Sequence, residues 1–271
     1  SEMCIRDSLY DGAGVSAMEY STNLYLVVAG VFILSITNVI FPKLSRLTAE
    51  HQEDAFRDTI RQTVHSSLFF VMPMAAGMMT LARPMVSFLY GGGAFDEFSV
   101  NITSQALVWV SLGMVGYGLQ NILSRAYFAQ QNGRTPLIAG GISILANVVG
   151  CMLLTEPLGV AGLAISSSIS STLYALLLLI PLQKQGGGVF NAGFGKDAGK
   201  MLVSTVGMAA VVLAVRYGLE NLLPQGKVGE LVLLGICALI GVAVYFLLAT
   251  LTGLDEANMV RDMVKRVRKR G

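Results

Sequence analysis

Charged side chains are scarce in this sequence and are missing from long stretches of it. Asp, Glu, Lys and Arg make up 13 % of the 271 residues, whereas soluble domains carry roughly 25 %. Phe98–Ser124 and Thr135–Thr155 contain no charged residue and no histidine. Stretches of this length and polarity exclude an ordinary soluble domain. They predict helices that cross a membrane, which need about 20 apolar residues each.

Motifs of enzymes and of metal centres are also missing. Cys4, Cys151 and Cys237 lie far apart and form no CxxC pair, which argues against a structural metal site or a disulfide framework. The sequence has no HExxH, GxSxG or P-loop pattern. His51 and His65 have no plausible partner in the sequence. We therefore predict no catalytic residue, no cofactor and no metal site, and a protein that is not an enzyme.

Seven apolar stretches have the length of membrane-spanning helices. Strands of a membrane β-barrel would be about half as long and would alternate in polarity, so the prediction is an all-α, polytopic bundle. No acidic residue lies deep inside a stretch, which excludes a proton relay through an intramembrane carboxylate in this part of the molecule. The predicted spans are Tyr20–Pro42, Ser66–Ala82, Phe98–Ser124, Thr135–Thr155, Leu158–Leu182, Met201–Val215 and Leu231–Leu251.

Lys and Arg in the loops predict the orientation of the bundle. They are concentrated after the first, third and fifth spans and in the C-terminal tail, whereas the alternate loops hold few. This distribution places the first residues outside and the C-terminus in the cytoplasm. The basic residues concerned are Lys43, Arg46, Arg57, Arg61, Arg125, Arg134, Lys184, Lys196, Lys200, Arg261, Lys265, Arg266, Arg268, Lys269 and Arg270.

Composition divides the chain into five parts. Residues 1–8 resemble a translated sequencing adaptor and fit no signal-peptide pattern, so we expect the natural sequence to begin near Leu9, inside a longer protein. Five helices within residues 9–182 are expected to form a partial transporter lobe. Residues 183–200 are expected to form a cytoplasmic linker, residues 201–252 two extra transmembrane helices, and residues 253–271 a basic cytoplasmic tail.

Three segments outside the spans carry their own predictions. Leu47–Thr63 is charged and is expected to be a helix along the cytoplasmic surface. Gln183–Gly199 is rich in glycine, which predicts a flexible loop. Asp255–Arg270 is basic and amphipathic, so it either binds anionic lipid headgroups or only follows the positive-inside rule. The sixth span is expected to extend past Arg216, whose long side chain can reach the interface.

A short polar turn, Leu123–Gly140, joins the third and fourth spans. The Asn132-Gly133 pair predicts the bend, and Pro136 lies where the next helix should start.

Polar side chains are unusually dense at the start of the first span, in Tyr20, Ser21, Thr22 and Asn23. Polar groups in transmembrane helices mostly serve helix packing, because small residues allow close approach and hydroxyls bond across. Successive residues of a helix point about 100° apart, so these groups cannot all face one neighbour. We therefore expect this stretch to line a water-filled cavity.

Three stretches carry a resemblance to a known family: LSRAYFAQQNGRTPLIAG at Leu123–Gly140, NVIFPKLSRL at Asn38–Leu47 and PLGVAGLAISSSIS at Pro157–Ser170. Together they resemble the MurJ family of lipid II flippases, formerly called MviN. The third stretch is the least specific, because related exporters share it. The family belongs to the multidrug/oligosaccharidyl-lipid/polysaccharide exporter superfamily.

The resemblance implies a fold of fourteen helices, in which two lobes enclose a central cavity and two extra helices follow. The seven predicted spans would be the eighth to fourteenth helices, that is, the C-terminal lobe without its first helix and then the extra pair. In the family the extra pair helps to form a groove for the polyprenyl tail.

The resemblance also assigns site residues. The family usually has a cavity Arg or Lys shortly after the tyrosine that corresponds to Tyr20, and Asn23 stands in that place. In some members a sodium site uses an Asn and an Asp one turn apart, together with a Thr on the next helix. Cys151 replaces that Asp, which removes the hard anionic ligand that Na⁺ favours; sodium coupling is therefore not expected. The positions of this vestigial cation site are Asn147, Cys151, Leu163 and Ser167.

The resemblance implies a function as part of a lipid II flippase of the bacterial cytoplasmic membrane, which moves the lipid-linked peptidoglycan precursor by alternating access. The expected partners are lipid II, membrane lipids and the missing N-terminal lobe, and not nucleic acid. Two alternatives remain open: a polysaccharide-lipid flippase or multidrug exporter of the same superfamily, and a membrane scaffold that transports nothing. The two extra helices argue against a drug exporter of twelve helices.

Overall fold

The computed structural model describes residues 13–93, 95–184, 192–220, 222 and 226–254. The first span is one long helix with an irregular centre. It consists of α1 (Ala13–Tyr25), a π-helical segment (Leu26–Gly30) and α2 (Val31–Ala49). The π-helical segment adds a residue to the turn and so changes which face of the helix continues toward the core.

The second and third spans are bent pairs of helices. In the second, α3 (Glu53–Thr80) and α4 (Ala82–Tyr90) meet at an angle of 70°; in the third, α5 (Glu97–Leu112) and α6 (Met114–Ala129) meet at 45°. The second bend lies at Gly113, where an added Cβ would come within 2.7 Å of the Ser168 backbone. Glycine is needed there because a neighbouring helix backbone passes so closely.

Each of the remaining spans is a single helix: α7 (Arg134–Leu158), α8 (Val160–Lys184), α9 (Ala192–Glu220) and α10 (Lys227–Leu251). Among the described residues, five helices are long and apolar enough to cross a membrane, or seven spans if each bent pair is one. No strand occurs in this part of the chain. The all-α polytopic bundle is therefore confirmed, and its spans follow the order predicted from the sequence.

The serines of α8 hold neighbouring helices together. The Ser168 hydroxyl donates to the Trp109 carbonyl at 2.6 Å, and the Ser170 hydroxyl donates to the Ser143 carbonyl at 2.7 Å. Tyr127, which is fully buried in α6, likewise donates to the Leu178 carbonyl at 2.8 Å. Because apolar burial provides little drive between helices in lipid, such bonds and close packing provide much of the association.

Two connecting segments differ from the sequence prediction. Leu47–Thr63 is not a separate surface helix, because α2 ends at Ala49 and α3 begins at Glu53 and continues into the second span. The predicted flexible loop, Gln183–Gly199, is shorter than expected at both ends, because α8 extends to Lys184 and α9 begins at Ala192. The basic tail and residues 1–8 lie outside the described residues.

The polar turn after α6 bends at Gln131, not at Asn132-Gly133. Gln131 has a φ of 58°, whereas Gly133 has a φ of −80°. The N–H of Asn132 donates to the Tyr127 carbonyl at 2.9 Å, a Schellman arrangement in which the residue at the helix end takes the left-handed conformation. The Asn132 side chain instead accepts a bond from the N–H of Thr135 at 3.3 Å, at the start of α7.

Candidate transport site

The four polar residues predicted to line a cavity point in different directions. Ser21 is fully buried and its hydroxyl donates to the Ala17 carbonyl at 2.8 Å. Ser21 is thus a packing residue in this structure and does not line an open cavity, which corrects the expectation for this position. Thr22 is half-buried and Asn23 is exposed. The 100° step between successive helical residues accounts for this division.

Tyr20 belongs to an aromatic group that the sequence did not predict. Its ring centroid lies 4.7 Å from that of Tyr90 and 5.4 Å from that of Phe95. The group closes one side of a pocket of about 480 Å³ between α1, the end of α4 and the start of α5. Tyr90 and Phe95 are separated from Tyr20 by two helices in sequence, so no local pattern links them.

The loop that carries Phe95 is held at the next residue. Asp96 caps α5, and its carboxylate accepts a bond of 2.8 Å from the N–H of Ser99. This bond to the charged form lowers the pKa of the Asp96 carboxyl. The cap therefore lies next to Phe95, one residue away along the chain.

An apolar groove of about 280 Å³ lies between the bent pair α3–α4 and the pair α9–α10. Its walls include Met74, Met78 and Met85 on one side and Met208 and Ala238 on the other. Methionine side chains are flexible and polarizable, so such walls adapt to an irregular or mobile apolar chain. The groove places a purely apolar surface beside the two helices that follow the lobe.

The predicted vestigial cation site lies between α7 and α8. The Cys151 thiol donates to the amide oxygen of Asn147 over 3.4 Å. Leu163 is buried and Ser167 is half-buried on the facing helix. No group of three or more His, Cys, Asp or Glu that could hold a metal ion occurs among the described residues. The cation site therefore stays a prediction, and the bond between Cys151 and Asn147 is its hydrogen bond described above.

His65 has a partner that the sequence did not indicate. Its Nε2 atom lies 3.7 Å from one carboxylate oxygen of Asp197. The other oxygen of that carboxylate accepts a bond of 3.2 Å from the Lys200 ammonium. Phe194 packs against the imidazole at 5.7 Å between ring centroids. These contacts join the first turns of α9 to α3, inside the segment that was predicted to be a linker.

Arg216 bonds to groups at the bend between α3 and α4 and on its own helix. Its guanidinium donates to the Thr80 carbonyl at 2.7 Å and to Glu220 at 2.7 Å. The Thr80 carbonyl lies at the C-terminal end of α3, where the carbonyls of a helix have no helical donor, and the residue four positions later is Pro84. On the next helix Glu230 accepts a bond of 2.5 Å from Ser87 in α4. The pair α9–α10 is therefore attached to both halves of the bent span.

The apolar spans and the polar contacts between them define a multi-pass membrane protein. A family model described as "Lipid II flippase MurJ" matches residues 6–251. The chain therefore belongs to the MurJ family, whose named members are transport proteins, as the resemblance of the three stretches predicted.

Individual relatives agree with this assignment. A protein of Rhizobium tropici named "Probable lipid II flippase MurJ" is 26 % identical over 94 % of this chain and 48 % of its own length. "Lipid II flippase MurJ" of Thermosipho africanus is 31 % identical over 61 % of this chain and 34 % of its own length.

A solved structure, "Lipid II flippase MurJ, inward closed conformation", aligns with a TM-score of 0.75 at 27 % identity. The alignment covers 95 % of this chain and 49 % of that one. In the alignments that run along most of this chain, the chain spans only about half the length of the relative.

Proposed function

We propose that this chain is part of one lobe, with the two helices that follow it, of a transporter that moves lipid II across the bacterial cytoplasmic membrane. Membership of the MurJ family over residues 6–251 carries the proposal. The partners would be lipid II, the surrounding lipids and a second lobe with which this lobe alternates access. The C-terminus would lie in the cytoplasm, as the loop charges predict.

Two surfaces of the structure support an amphiphilic substrate. The apolar groove beside α9–α10 has the character that a prenyl chain requires, because association within a bilayer depends on close packing and its methionine walls can adapt to an irregular chain. Asn23 is exposed on α1 and offers an amide donor to a headgroup. The polar head and the tail of one lipid would thus be held by different parts of the lobe.

Filling the groove tests this function. Ala238 lines the groove, whereas the adjacent Leu239 is 75 % exposed and is absent from its walls. In the full-length protein we expect Ala238→Phe to reduce lipid II exposure at the outer leaflet several-fold, because the added ring occupies the tail surface. Leu239→Phe, the matched control, should leave it unchanged. Equal transport by both variants at equal protein levels would contradict a role for the groove.

A second test concerns the second lobe. Residues 9–271 expressed alone should not restore growth to cells that lack their lipid II flippase, because alternating access needs two lobes that move against each other. The full-length protein provides the control. Rescue by residues 9–271 alone would contradict the proposed two-lobe mechanism.

A further inference from the structure

The pocket beside Tyr20 is mixed in character and contains no charge. Its walls carry aromatic rings and hydroxyls, and none of its lining residues is Asp, Glu, Lys, Arg or His. Its volume, about 480 Å³, lies within the roughly 300–1,000 Å³ of small-molecule sites. An anionic group would find no counter-charge among these residues, and the adjacent Asp96 carboxylate is already bonded to the N–H of Ser99 as the cap of α5, so the chemistry of the walls favours an uncharged ligand.

Three rings form the aromatic wall. The centroids of Tyr90 and Phe95 lie 5.9 Å apart, and Tyr20 contacts both. Each ring is therefore held in place by the other two, while Tyr20 remains 38 % exposed. The face of an aromatic ring carries partial negative charge. It attracts the C–H-bearing face of a sugar ring, whose hydroxyls then project sideways toward polar partners.

The lining also includes hydroxyls from α5. Ser99 and Thr103 lie four residues apart and so share one face of the helix. Thr103 is 1 % exposed, and its hydroxyl has no hydrogen-bond partner among the described residues. Nearby Ser104 and Ser111 instead donate to carbonyls of their own helix, at 2.6 Å each.

Among the described residues, Thr103 is the one member of the five buried, unpartnered hydroxyls that lines this pocket; the others belong to Ser67, Thr155, Ser204 and Thr205. Burying a hydroxyl without a hydrogen bond costs free energy, and native proteins rarely leave a buried hydroxyl without a partner. A ligand rich in hydroxyls and amides would supply the missing partner of Thr103. A purely apolar ligand would not.

We propose that this pocket binds an uncharged sugar ring, stacked on Tyr20 and hydrogen-bonded to the α5 hydroxyls. That the sugar belongs to the glycan of a lipid-linked substrate rests on the proposed transport function. That the pocket binds a sugar ring rests only on the residues of its walls. The pyrophosphate and the prenyl tail would be held elsewhere, because this pocket offers neither cations nor a long apolar surface.

Binding of a free disaccharide tests the pocket. The 271-residue chain in lipid nanodiscs would be titrated with N,N′-diacetylchitobiose and followed by saturation-transfer NMR. We expect binding that weakens at least fivefold in Tyr20→Ala and in Thr103→Val, and that stays within twofold in Tyr20→Phe, which keeps the stacking ring. Tyr217→Ala is the matched control, because Tyr217 is an exposed tyrosine outside the pocket.

Each result of the titration decides the proposal. No binding to the folded wild-type chain would overturn it, as would equal binding by wild type, Tyr20→Ala and Thr103→Val. Thr103→Val preserves the shape of the side chain, so this variant is expected to fold. Thermal melting of the variants reveals whether Tyr20→Ala loses binding because it misfolds. In that case the Thr103→Val result alone decides.

Competition identifies the source of the sugar. Lipid II should displace the disaccharide, whereas a polyprenyl pyrophosphate without sugars should not. Failure of lipid II to compete would overturn the lipid-linked source while leaving the saccharide pocket in place. The groove variants test transport separately, so failure of the pocket and failure of the transport function give different results.

Discussion

The phenolic hydroxyl of Tyr245 in α10 donates a hydrogen bond of 2.7 Å to the main-chain carbonyl of Phe69 in α3, 176 residues away. That carbonyl would normally accept from the residue four positions later, which is Pro73 and has no N–H. Arg216 serves the Thr80 carbonyl in the same way, opposite Pro84. The helices α9 and α10 thus supply a donor to the carbonyl opposite Pro73 and another to the carbonyl at the end of α3.

Tyr245→Phe should destabilise the protein measurably. The change keeps the ring and its packing on Phe69 but leaves the Phe69 carbonyl without a donor in a buried position, which costs roughly 0.6–1.7 kcal/mol for hydrogen bonds in membrane proteins. The measurement is thermal unfolding in a fixed detergent. Tyr217→Phe, at an exposed tyrosine of α9, should not change the midpoint. A similar midpoint for Tyr245→Phe and wild type would mean that the bond contributes nothing net.

Arg216→Ala should lower stability further, by about 1.5 kcal/mol or more, because bonds to charged groups are stronger than neutral ones. The Arg216 side chain is only 16 % exposed, so solvent screens its contacts little. Arg216→Lys should recover part of the loss, since one ammonium cannot reach both the Thr80 carbonyl and Glu220 as a planar guanidinium does. Unfolding midpoints of the three proteins decide between these outcomes.

A surface arginine provides the comparison for this series. The Arg46–Glu50 pair is largely exposed, with the two charged groups 3.7 Å apart, and exposed pairs contribute roughly 0–1 kcal/mol. Arg46→Ala should therefore have little effect. If Arg46→Ala and Arg216→Ala lowered the midpoint equally, the role of Arg216 at the bend would be contradicted.

Charge at Asn23 should control transport in the full-length protein. Asn23 is exposed on α1, so Arg, Asp and Leu can all be accommodated there. Asn23→Arg should keep or improve transport, because charge-assisted bonds to a pyrophosphate are the stronger ones. Asn23→Asp should impair transport by repulsion, and Asn23→Leu should impair it less. Lipid II exposure at the outer leaflet, normalised to protein level, is the measurement.

The control for this series makes the same neutral-to-acidic change in a loop. Gln131→Glu lies in the turn after α6, where the side chain is exposed, and it should leave transport unchanged. Wild-type transport by Asn23→Asp would assign Asn23 to helix packing.

Cysteine labelling should establish the sidedness of the bundle. Phe98→Cys at the exposed start of α5 should react with an impermeant thiol reagent from outside, and Gly133→Cys only after permeabilisation. Gly133 suits the probe because its φ is −80° and an added Cβ would meet nothing within 4 Å. Gly92 and Gln131 suit it less, because their φ angles are 113° and 58°.

The native cysteines would first be replaced by alanine in this experiment. Both probe sites lie in positions that ordinary side chains can occupy, so labelling reports access and not misfolding. The reverse labelling pattern would contradict the orientation predicted from Lys and Arg.

The family and the order of the spans could be predicted from the sequence because both depend on local features. A membrane helix is visible in the sequence as a run of about 20 apolar residues. The LSRAYFAQQNGRTPLIAG turn, which carries the resemblance to the family, is likewise one contiguous stretch. The boundaries were less predictable. The helix α3 continues through the charged residues 53–63, because tertiary contacts and not composition decide where a helix of this kind ends.

The site depended on the tertiary structure. Side-chain polarity at Ser21 and Asn23 is visible in the sequence, but only the rotation of α1 against its neighbours decided that Ser21 is buried and Asn23 is exposed. The sequence by itself determined that residues 73 and 84 are prolines and so offer no N–H to the Phe69 and Thr80 carbonyls. Only the packing of α9 and α10 decided that Tyr245 and Arg216 donate to those carbonyls, because hydrogen bonds between helices require residues distant in the chain to meet within about 3 Å.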